Sequence, residues 1–472
     1  MDTPSAVPGL TAGGPRKEVR KGPSGSGEGM RPRRRIRRWK AGVPAPGAGS
    51  SREEYRLWIR RVSRALLAAQ KPIRVLRALH WGDGVAARFF ARKERELPEV
   101  EYASPGYDPG PKAAELRALA DLLDPKDPLQ AILRDTALQY ADVVRMLEVR
   151  GTKPFYAASC RLYGHPLEPF AGQTTTSLDL ARHLDGLVGN GEPHALPPGP
   201  TLTAEATARI LQRRIDRAFP GARVRVEVSS LLTADAAAGA SRIRIKRGRM
   251  FGRETIDYLE QHEGYVHIGT TLNGLRQPFL PILGKASPRA VRVNEGLAVF
   301  GEWASHTMTL RRVRRLVDRV LAIRMAEEGA DFLDVYHHFR GRGEEGTAAF
   351  DIARRVFRGG DLHGGSPFTK DASYLGDFLR IFNFARVASR RRRMDLLELL
   401  FAGKVTIADI PVLSRHLAGG EVLRPSYLPP WMRNRDWLTT HMALSSFLDT
   451  VRLSATETYY EALFAECAPP AA

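Results

Sequence analysis

The sequence HEGYVH, residues 262–267, places two histidines five positions apart with a glutamate directly after the first. A hydrolytic zinc site needs three protein ligands, an open position for water and a nearby base. Histidines four apart share one face of an α-helix, but a spacing of five turns the second ring about 140° away. His262 and His267 can therefore share one ion only where the helix widens, as in a π-bulge. Gly264 lies inside the interval and tolerates that distortion.

A later helical pattern, NEGLAVFGE at residues 294–302, offers acidic candidates for a third ligand. Glu295 and Glu302 are seven residues apart and therefore lie on one helix face. We predict Glu295 as the third ligand and Glu302 as the group that orients a ligand imidazole. Glu263 would then lie beside the bound water, where a carboxylate acts as general base.

The residues around HEGYVH predict the fold class. Two segments before it, RVRVEVS (223–229) and SRIRIKRG (241–248), alternate in polarity and carry β-branched residues, which predicts two strands. RETIDYLEQHEGYVH predicts a helix, followed by a long loop that contains NGLRQPFLPILGKASP. Apolar residues elsewhere recur mainly at helical spacing. The predicted class is α+β, predominantly α-helical, with a small β-sheet preceding the HExxxH helix.

The chain divides into three predicted parts. Residues 1–50 are basic and rich in Gly, Pro and Ser, which predicts a disordered tail or a start assigned too early, with Met30 as the alternative. Residues 51–188 form a predicted N-terminal helical region. Residues 189–472 form the predicted catalytic region with C-terminal helices, after a Pro/Gly-rich connection at 189–201.

Composition excludes several classes of protein. No run of about 18 apolar residues and no secretory signal is present, so we expect a cytoplasmic protein that does not span a membrane. The two cysteines, Cys160 and Cys467, are too few for a disulfide framework or a cysteine-based zinc site. The net charge is +20, but the arginine runs lack interleaved aromatic residues. This argues against nucleic-acid binding except through the basic tail.

Several motifs in fixed order resemble a known family. The chain resembles the bacterial flavohaemoglobin expression-modulating QEGLA-motif proteins and their animal relatives, the microtubule-associated tyrosine carboxypeptidases. The likeness covers about residues 55–460. It rests on AQKPIRVLRALHW, YADVVRMLEVRGT, HEGYVHIGTTLNGLRQP, NEGLAVFGE, RRVFRGG and PFTKDASYL.

The resemblance implies a zincin-like metallopeptidase core. Zinc would be held by His262, His267 and Glu295, with Glu263 as the base. Two positions depart from the family pattern. Asn294 replaces the glutamine of the family motif, and YLGD places Gly376 one position earlier than the usual YLxG, which puts the geometry of the expected nearby loop in question.

A carboxypeptidase needs further groups beside the metal. Tyr374 is the candidate donor to the oxyanion, with a buried core tyrosine as the alternative interpretation. A cation must pair with the terminal carboxylate of the substrate. The basic candidates for that role are Arg276, Arg355, Arg358 and Lys370. The strand predicted at 241–248 could pair with an extended substrate backbone.

The predicted function is a zinc-dependent metallopeptidase, a carboxypeptidase that hydrolyses C-terminal residues of a protein or peptide. One alternative is a non-catalytic regulatory protein that contains zinc, and the intact Glu263 argues against it. The other is a basic nucleic-acid-binding protein, which would bind through the tail in a salt-dependent way. No microtubule-binding segment is evident in the sequence.

Overall fold

The computed structural model describes residues 49–82, 84–188, 201–230, 232, 234–448, 457, 460 and 461. They form mainly helices with one small three-stranded sheet, which confirms the predicted α+β, predominantly helical class. Within these residues, no helix is long and apolar enough to cross a bilayer. The predicted tail up to residue 48 and the connection at 189–200 lie outside the described residues.

The described chain begins with helices whose starts are encoded locally. Before one of them, the Asp127 carboxylate accepts the N–H of Gln130 and Pro128 takes the first helical position, as expected of a capped helix. In chain order the helices before the sheet are α1 (Arg52–Ala69), α2 (Val75–Ala78), α3 (Val85–Ala91), α4 (Pro109–Ala120), α5 (Pro128–Glu148), α6 (Pro154–Tyr163), α7 (Ser177–Val188) and α8 (Ala204–Ala218).

The sheet has the order β1-β3-β2, in which β1 is Arg225–Ser229, β2 is Ala236–Ala238 and β3 is Arg242–Lys246. Both predicted strands are present, but β2 was not predicted because three alanines carry no β-branched signal. β1 pairs with β3 in parallel and β2 pairs with β3 antiparallel. The prediction that residues 241–248 could pair with a substrate is therefore wrong, because both edges of β3 are occupied.

A continuous helix follows the sheet and contains both histidines of the motif. It consists of α9 (Arg253–Leu259), a π-helical segment (Glu260–Ile268) and α10 (Gly269–Leu275). The helix predicted through His267 is correct, but the loop predicted after it begins only past Leu275. The residues TLNGL continue the helix because they contain no proline, and Pro278 is the first residue that cannot donate to the ladder.

The remaining chain is helical and begins with the helix that carries NEGLA. The Ser287 hydroxyl accepts the N–H of Ala290 at its start, with Pro288 in the first helical position. The α-helices are α11 (Pro288–Ala304), α12 (Leu310–Glu327), α13 (Phe332–Gly341), α14 (Gly346–Phe357), α15 (Ser373–Arg390), α16 (Met394–Glu398), α17 (Ile410–Arg415), α18 (Pro430–Arg433) and α19 (Arg435–Leu448). Short 3₁₀ helices lie at Pro281–Gly284, Thr369–Ala372, Leu399–Phe401 and Ile407–Asp409.

The hydrophobic cores join parts of the chain that are far apart in sequence. Leu66 and Leu133 of the N-terminal helices share one core with Phe300 of α11 and Ile381 of α15. Another core joins α8 and the sheet to the π-helical segment through Ile268. The helix with both histidines is thus held between two cores. The division at residues 188 and 189 into a helical and a catalytic region stays a prediction.

Two buried amides fasten α10 to distant backbone. The Asn273 side chain donates to the carbonyls of Phe401 and Tyr427 at 2.9 and 2.8 Å. The Gln277 side chain donates to the carbonyl of Ala402 at 2.9 Å. The two amides thus contact neighbouring carbonyls of one segment. The sequence NGLRQ therefore fixes the segment at 401–402 beside the helix that carries the histidines.

Candidate active site

The helix segment that carries both histidines is wider than an α-helix. Residues Glu260–Ile268 are π-helical, and the N–H of Gly269 donates to the carbonyl of Gly264, an i→i+5 hydrogen bond. The predicted widening near Gly264 is therefore confirmed. A Cβ at Gly264 would lie 2.7 Å from Cδ1 of Ile215 in α8. The glycine thus also allows α8 to pack closely against this segment.

His262, His267 and Glu295 converge on one point. The two imidazole rings are 4.8 Å apart between centroids and nearly perpendicular. His267 Nε2 lies 3.3 Å from Glu295 Oε2, and His262 Nε2 lies 3.7 Å from the same oxygen. The potential ligand atoms of all three residues lie within 4.8 Å of one another. The π-helical segment and α11 therefore bring the three predicted ligands together.

The spacing and the donor set fit a zinc ion. A tetrahedral site with bonds of about 2.1 Å has ligand atoms about 3.4 Å apart. Glu295 Oε2 is buried and has no hydrogen-bond partner among the described residues, whereas buried carboxylate oxygens are normally satisfied. A cation at the shared centre would satisfy this oxygen. Two imidazoles and one carboxylate are ligands that suit Zn²⁺.

Glu302 fixes the orientation of His262. Glu302 Oε1 lies 2.7 Å from His262 Nδ1, and Arg312 donates to both carboxylate oxygens at 2.8 and 2.9 Å. Burial raises the pKa of Glu302, but Arg312 and His262 outweigh it and lower the pKa to about 2. The ionised carboxylate only accepts hydrogen bonds, so Nδ1 of His262 donates and Nε2 faces the shared centre.

The positive charges around the two glutamates keep both carboxylates ionised. Burial lowers the pKa of His262, but Glu295 and Glu302 raise it to about 9. Burial likewise raises the pKa of Glu295, but Lys370 and the histidines lower it well below its usual range. Lys370 Nζ donates to Glu295 Oε1 at 2.8 Å. Oε1 of Glu295 is therefore hydrogen-bonded to Lys370, and Oε2 faces the centre.

Asn294 and Lys404 hold the second histidine. His267 Nδ1 lies 2.7 Å from Asn294 Oδ1, and Lys404 Nζ donates to the same oxygen at 2.6 Å. Lys404 Nζ also donates to the His267 carbonyl at 2.9 Å. Burial lowers the pKa of Lys404 to about 7, and Glu295 and Glu263 oppose that shift. In either protonation state the side chain has enough N–H groups for both oxygens.

Lys404 was missed in the sequence analysis. It lies 110 positions after Asn294, in the segment AGKVT, which has no motif and no periodic pattern. Its backbone N–H donates to the Leu283 carbonyl at 2.6 Å. The shortened side chain at position 294 was the available signal, because a smaller amide beside a ligand leaves room for another group.

Glu263 lies at the edge of the sheet. Its Oε2 accepts the N–H of Ala238, the last residue of β2, at 2.6 Å, and the residue is 7% exposed. β2 is an edge strand, whose outer side faces the π-helical segment through this contact. Glu263 is not one of the three converging residues, so it is free to act on a group bound beside them.

Tyr374 borders the same centre. Its ring is stacked on that of His262 with centroids 6.3 Å apart, and Arg319 Cζ lies 4.4 Å from the Tyr374 centroid. Tyr374 also belongs to a hydrophobic cluster with Val299 and is 8% exposed. Its role as oxyanion donor stays a prediction. Gly376, where a loop was expected, lies inside α15.

The four predicted carboxylate-binding cations have different surroundings. Arg276 is exposed at the end of α10, and Lys370 is engaged by Glu295. Arg355 Nε lies 2.6 Å from Asp371 Oδ2. Arg358 is buried and its Nε has no hydrogen-bond partner among the described residues. Of the four, Arg358 is the cation that retains an unsatisfied donor beside the site.

Arg319 of α12 belongs to this cluster and was not predicted. Arg319 and Arg358 lie 4.0 and 3.9 Å from oxygens of Asp371, which Arg355 already occupies at 2.6 Å. Three guanidinium groups thus face one carboxylate. Burial, followed by Arg355, lowers the pKa of both Arg319 and Arg358 to about 10. A further anion would relieve this repulsion.

A comparison with protein families supports a relationship that covers most of the chain. The family model described as microtubule-associated tyrosine carboxypeptidase matches residues 87–450. The match includes the sheet, the π-helical segment, α11 and α15. A search of curated proteins gave no match.

Proposed function

We propose that this chain, which belongs to the microtubule-associated tyrosine carboxypeptidase family, is a zinc-dependent carboxypeptidase that removes residues from the C-terminus of a peptide or protein. The observation that carries the proposal is the convergence of His262, His267 and Oε2 of Glu295, a buried oxygen without a hydrogen-bond partner among the described residues. Glu263, which directly follows His262 in the sequence and raises its pKa, supplies the base that such a centre needs.

Each residue of the centre has a distinct chemical role in this proposal. A zinc ion held by His262, His267 and Glu295 would act as a Lewis acid toward water and the peptide carbonyl. Glu263 takes a proton from the attacking water and passes it to the leaving amine. The N–H of Ala238 holds one oxygen of Glu263, which leaves the other for the water. Tyr374 donates a hydrogen bond to the oxyanion that develops.

The substrate backbone is proposed to extend along β2. This strand pairs with β3 on one side only, and its other side reaches Glu263 through Ala238. An extended peptide can add to such an edge by main-chain hydrogen bonds. Substrate binding along β2 would place the scissile carbonyl near Glu263.

The cluster of Arg319 and Arg358 is proposed to bind the terminal carboxylate of the substrate. Both side chains have a buried nitrogen without a hydrogen-bond partner among the described residues. Arg319 contacts the ring of Tyr374, which in turn stacks on His262. The cationic cluster therefore lies beside the proposed metal centre, as an exopeptidase requires. Arg355 and Lys370 would instead neutralise Asp371 and Glu295.

The proposed function can be tested on the purified full-length protein. We expect about one zinc ion per chain by elemental analysis. We also expect release of single C-terminal amino acids from a peptide library with varied termini, and loss of that release after chelation and its return with zinc. Zinc without cleavage of any peptide would support the regulatory alternative. Absence of zinc would contradict the proposed centre.

The carboxylate pocket gives a separate prediction. Replacing Arg319 with Gln removes a guanidinium that faces the bound carboxylate, and should lower kcat/KM for peptides with a free C-terminus by roughly 100-fold. The same variant should act on C-terminally amidated peptides about as the parent does. The Arg276→Gln variant, altered on the exposed surface, serves as the control. Equal losses on free and amidated peptides would contradict a role in carboxylate binding.

A further inference from the structure

Lys404 is a buried lysine whose amino group is held by neutral oxygens. It is 8% exposed, and Nζ donates to two neutral oxygens, Oδ1 of Asn294 and the carbonyl of His267. Among the described residues it forms no ion pair. Because burying an amino group is costly, the position of Lys404 beside a metal-ligand candidate requires an explanation.

We propose that Lys404 is a positioning residue that locks the Asn294 amide, so that His267 keeps its proton on Nδ1 and presents Nε2 to the metal. The inference rests on the proposed zinc site and adds Lys404 to it, a residue that the sequence analysis did not predict. Lys404 touches neither substrate nor metal in this assignment. It acts through Asn294, which lies directly before Glu295 in the sequence.

The argument follows from the hydrogen-bonding capacity of each group. Lys404 Nζ donates N–H groups to Asn294 and to the His267 carbonyl, so the atom of Asn294 that faces it is the oxygen. That oxygen also faces His267 Nδ1 at 2.7 Å, and it can only accept. The proton of the neutral imidazole is therefore held on Nδ1, which leaves the lone pair on Nε2. Only a nitrogen with its lone pair free can bind a metal ion.

Loss of the lysine would allow the opposite arrangement. A rotated amide would turn its NH₂ group toward His267 and donate to Nδ1. The proton of the imidazole would then move to Nε2, the atom 3.3 Å from Glu295 Oε2. With Lys404 present, such a rotation would replace the oxygen that accepts from Nζ with an NH₂ group and so lose the observed hydrogen bond. Asn294 Nδ2 instead donates to Thr270 Oγ1 at 3.3 Å. This hydrogen bond also stabilises the observed orientation of the amide.

Hydrogen bonds and a close backbone approach fix the segment that carries Lys404. The carbonyls of Phe401 and Ala402 accept hydrogen bonds from the amides of Asn273 and Gln277. A Cβ at position 403 would lie 2.9 Å from the Leu283 carbonyl oxygen, so only glycine fits this approach. The segment before Lys404 is thus fixed to the helix that bears His267.

The first test measures the tautomer of His267 directly in metal-free full-length protein. NMR of protein with isotopically labelled histidine separates the Nδ1–H and Nε2–H forms, and loss of a signal in a His267→Gln sample assigns it. At a pH above the ordinary titration range of histidine, we expect the Nδ1–H form in the parent protein. Observation of the Nε2–H form there would overturn the proposal, whatever the variants do.

The second test is the Lys404→Met variant, which keeps the length of the side chain. We expect the Nε2–H form of His267 to appear and zinc affinity, measured by competition with a chelator, to fall roughly 10- to 100-fold. If Lys404 acted only through its charge, Lys404→Met would instead raise the zinc affinity, because removal of a nearby positive charge strengthens binding of a dication. Unchanged or tighter zinc binding with an unchanged tautomer would overturn the proposal.

Two further variants test whether the effect of Lys404 on the tautomer depends on the side-chain amide of Asn294. In Asn294→Asp the carboxylate has no NH₂ group, so the added Lys404→Met change should no longer alter the tautomer. Lys285→Met removes another lysine near Lys404 and should leave the tautomer unchanged. A tautomer shift in the Asp background would contradict the mechanism. Both readouts are independent of peptidase activity, so failure of the proposed function would be seen separately.

Discussion

Replacing Glu263 with Gln is expected to lower kcat for release of a C-terminal amino acid by about 100-fold to 10,000-fold while zinc stays bound. General base catalysis contributes about that factor. The amide keeps the shape of the side chain and can still accept the N–H of Ala238, but it cannot take a proton from water. Zinc is retained because Glu263 is not one of the three converging residues. The measurements are single-turnover kinetics and elemental analysis of the same sample.

The Glu260→Gln variant provides a matched control for this experiment. Glu260 begins the same π-helical segment, but its carboxylate pairs with Arg214 at 2.9 Å instead of facing the centre. Loss of such a partly exposed ion pair costs at most about 1 kcal/mol of folding stability and should leave activity unchanged. Activity of Glu263→Gln equal to that of the parent would remove Glu263 from the mechanism.

The sequence was most informative at residues 262–267, where the regular geometry of an α-helix conflicts with the binding of one metal ion by both histidines. Histidines five apart cannot share an ion on a regular α-helix, so the pattern at 262–267 predicted a widened turn, which the π-helical segment confirms. Glu295 and Glu302 could be placed on one face by helical periodicity alone. These features depend on local geometry, which a single sequence encodes.

Features that depend on contacts between distant segments could not be predicted. β2 consists of three alanines and forms a strand because β3 supplies its hydrogen bonds. Lys404 and Arg319 reach the site from segments without any motif. With 72 lysines and arginines in the chain, only the fold selects the few that adjoin the centre. The prediction that residues 241–248 could pair with a substrate was wrong for the same reason, since strand order is not visible in one sequence.

Helix α11 contributes three residues to the candidate site. It carries Asn294, Glu295 and Glu302, which contact His267, the shared centre and His262 respectively. It also packs closely against α15. A Cβ at Gly296 would lie 2.4 Å from the backbone carbon of Asp377 in α15. The residue after the ligand candidate Glu295 is therefore a glycine because two helix backbones approach each other there.

Replacing Gly296 with Ala is expected to destabilise the protein by about 3 kcal/mol and to weaken zinc binding. In an exposed helix this change would stabilise by about 1 kcal/mol, but here the new methyl group overlaps backbone that cannot rotate away, and overpacking costs about 1–3 kcal/mol or more. The separation of α11 from α15 would also displace Glu295. Denaturant unfolding of metal-free protein and zinc competition measure the two effects separately.

Gly301 on the same helix is the matched control. A Cβ there would lie 3.5 Å from side-chain atoms of Trp431 and Val266, an ordinary contact distance. Gly301→Ala should therefore be neutral or stabilise by up to about 1 kcal/mol, with zinc affinity unchanged. Equal stability of the two variants would show that the close approach of α11 and α15 is not required. A stable Gly296→Ala protein with weakened zinc binding would instead mean that the helices separate at little cost and that their contact serves mainly to place Glu295.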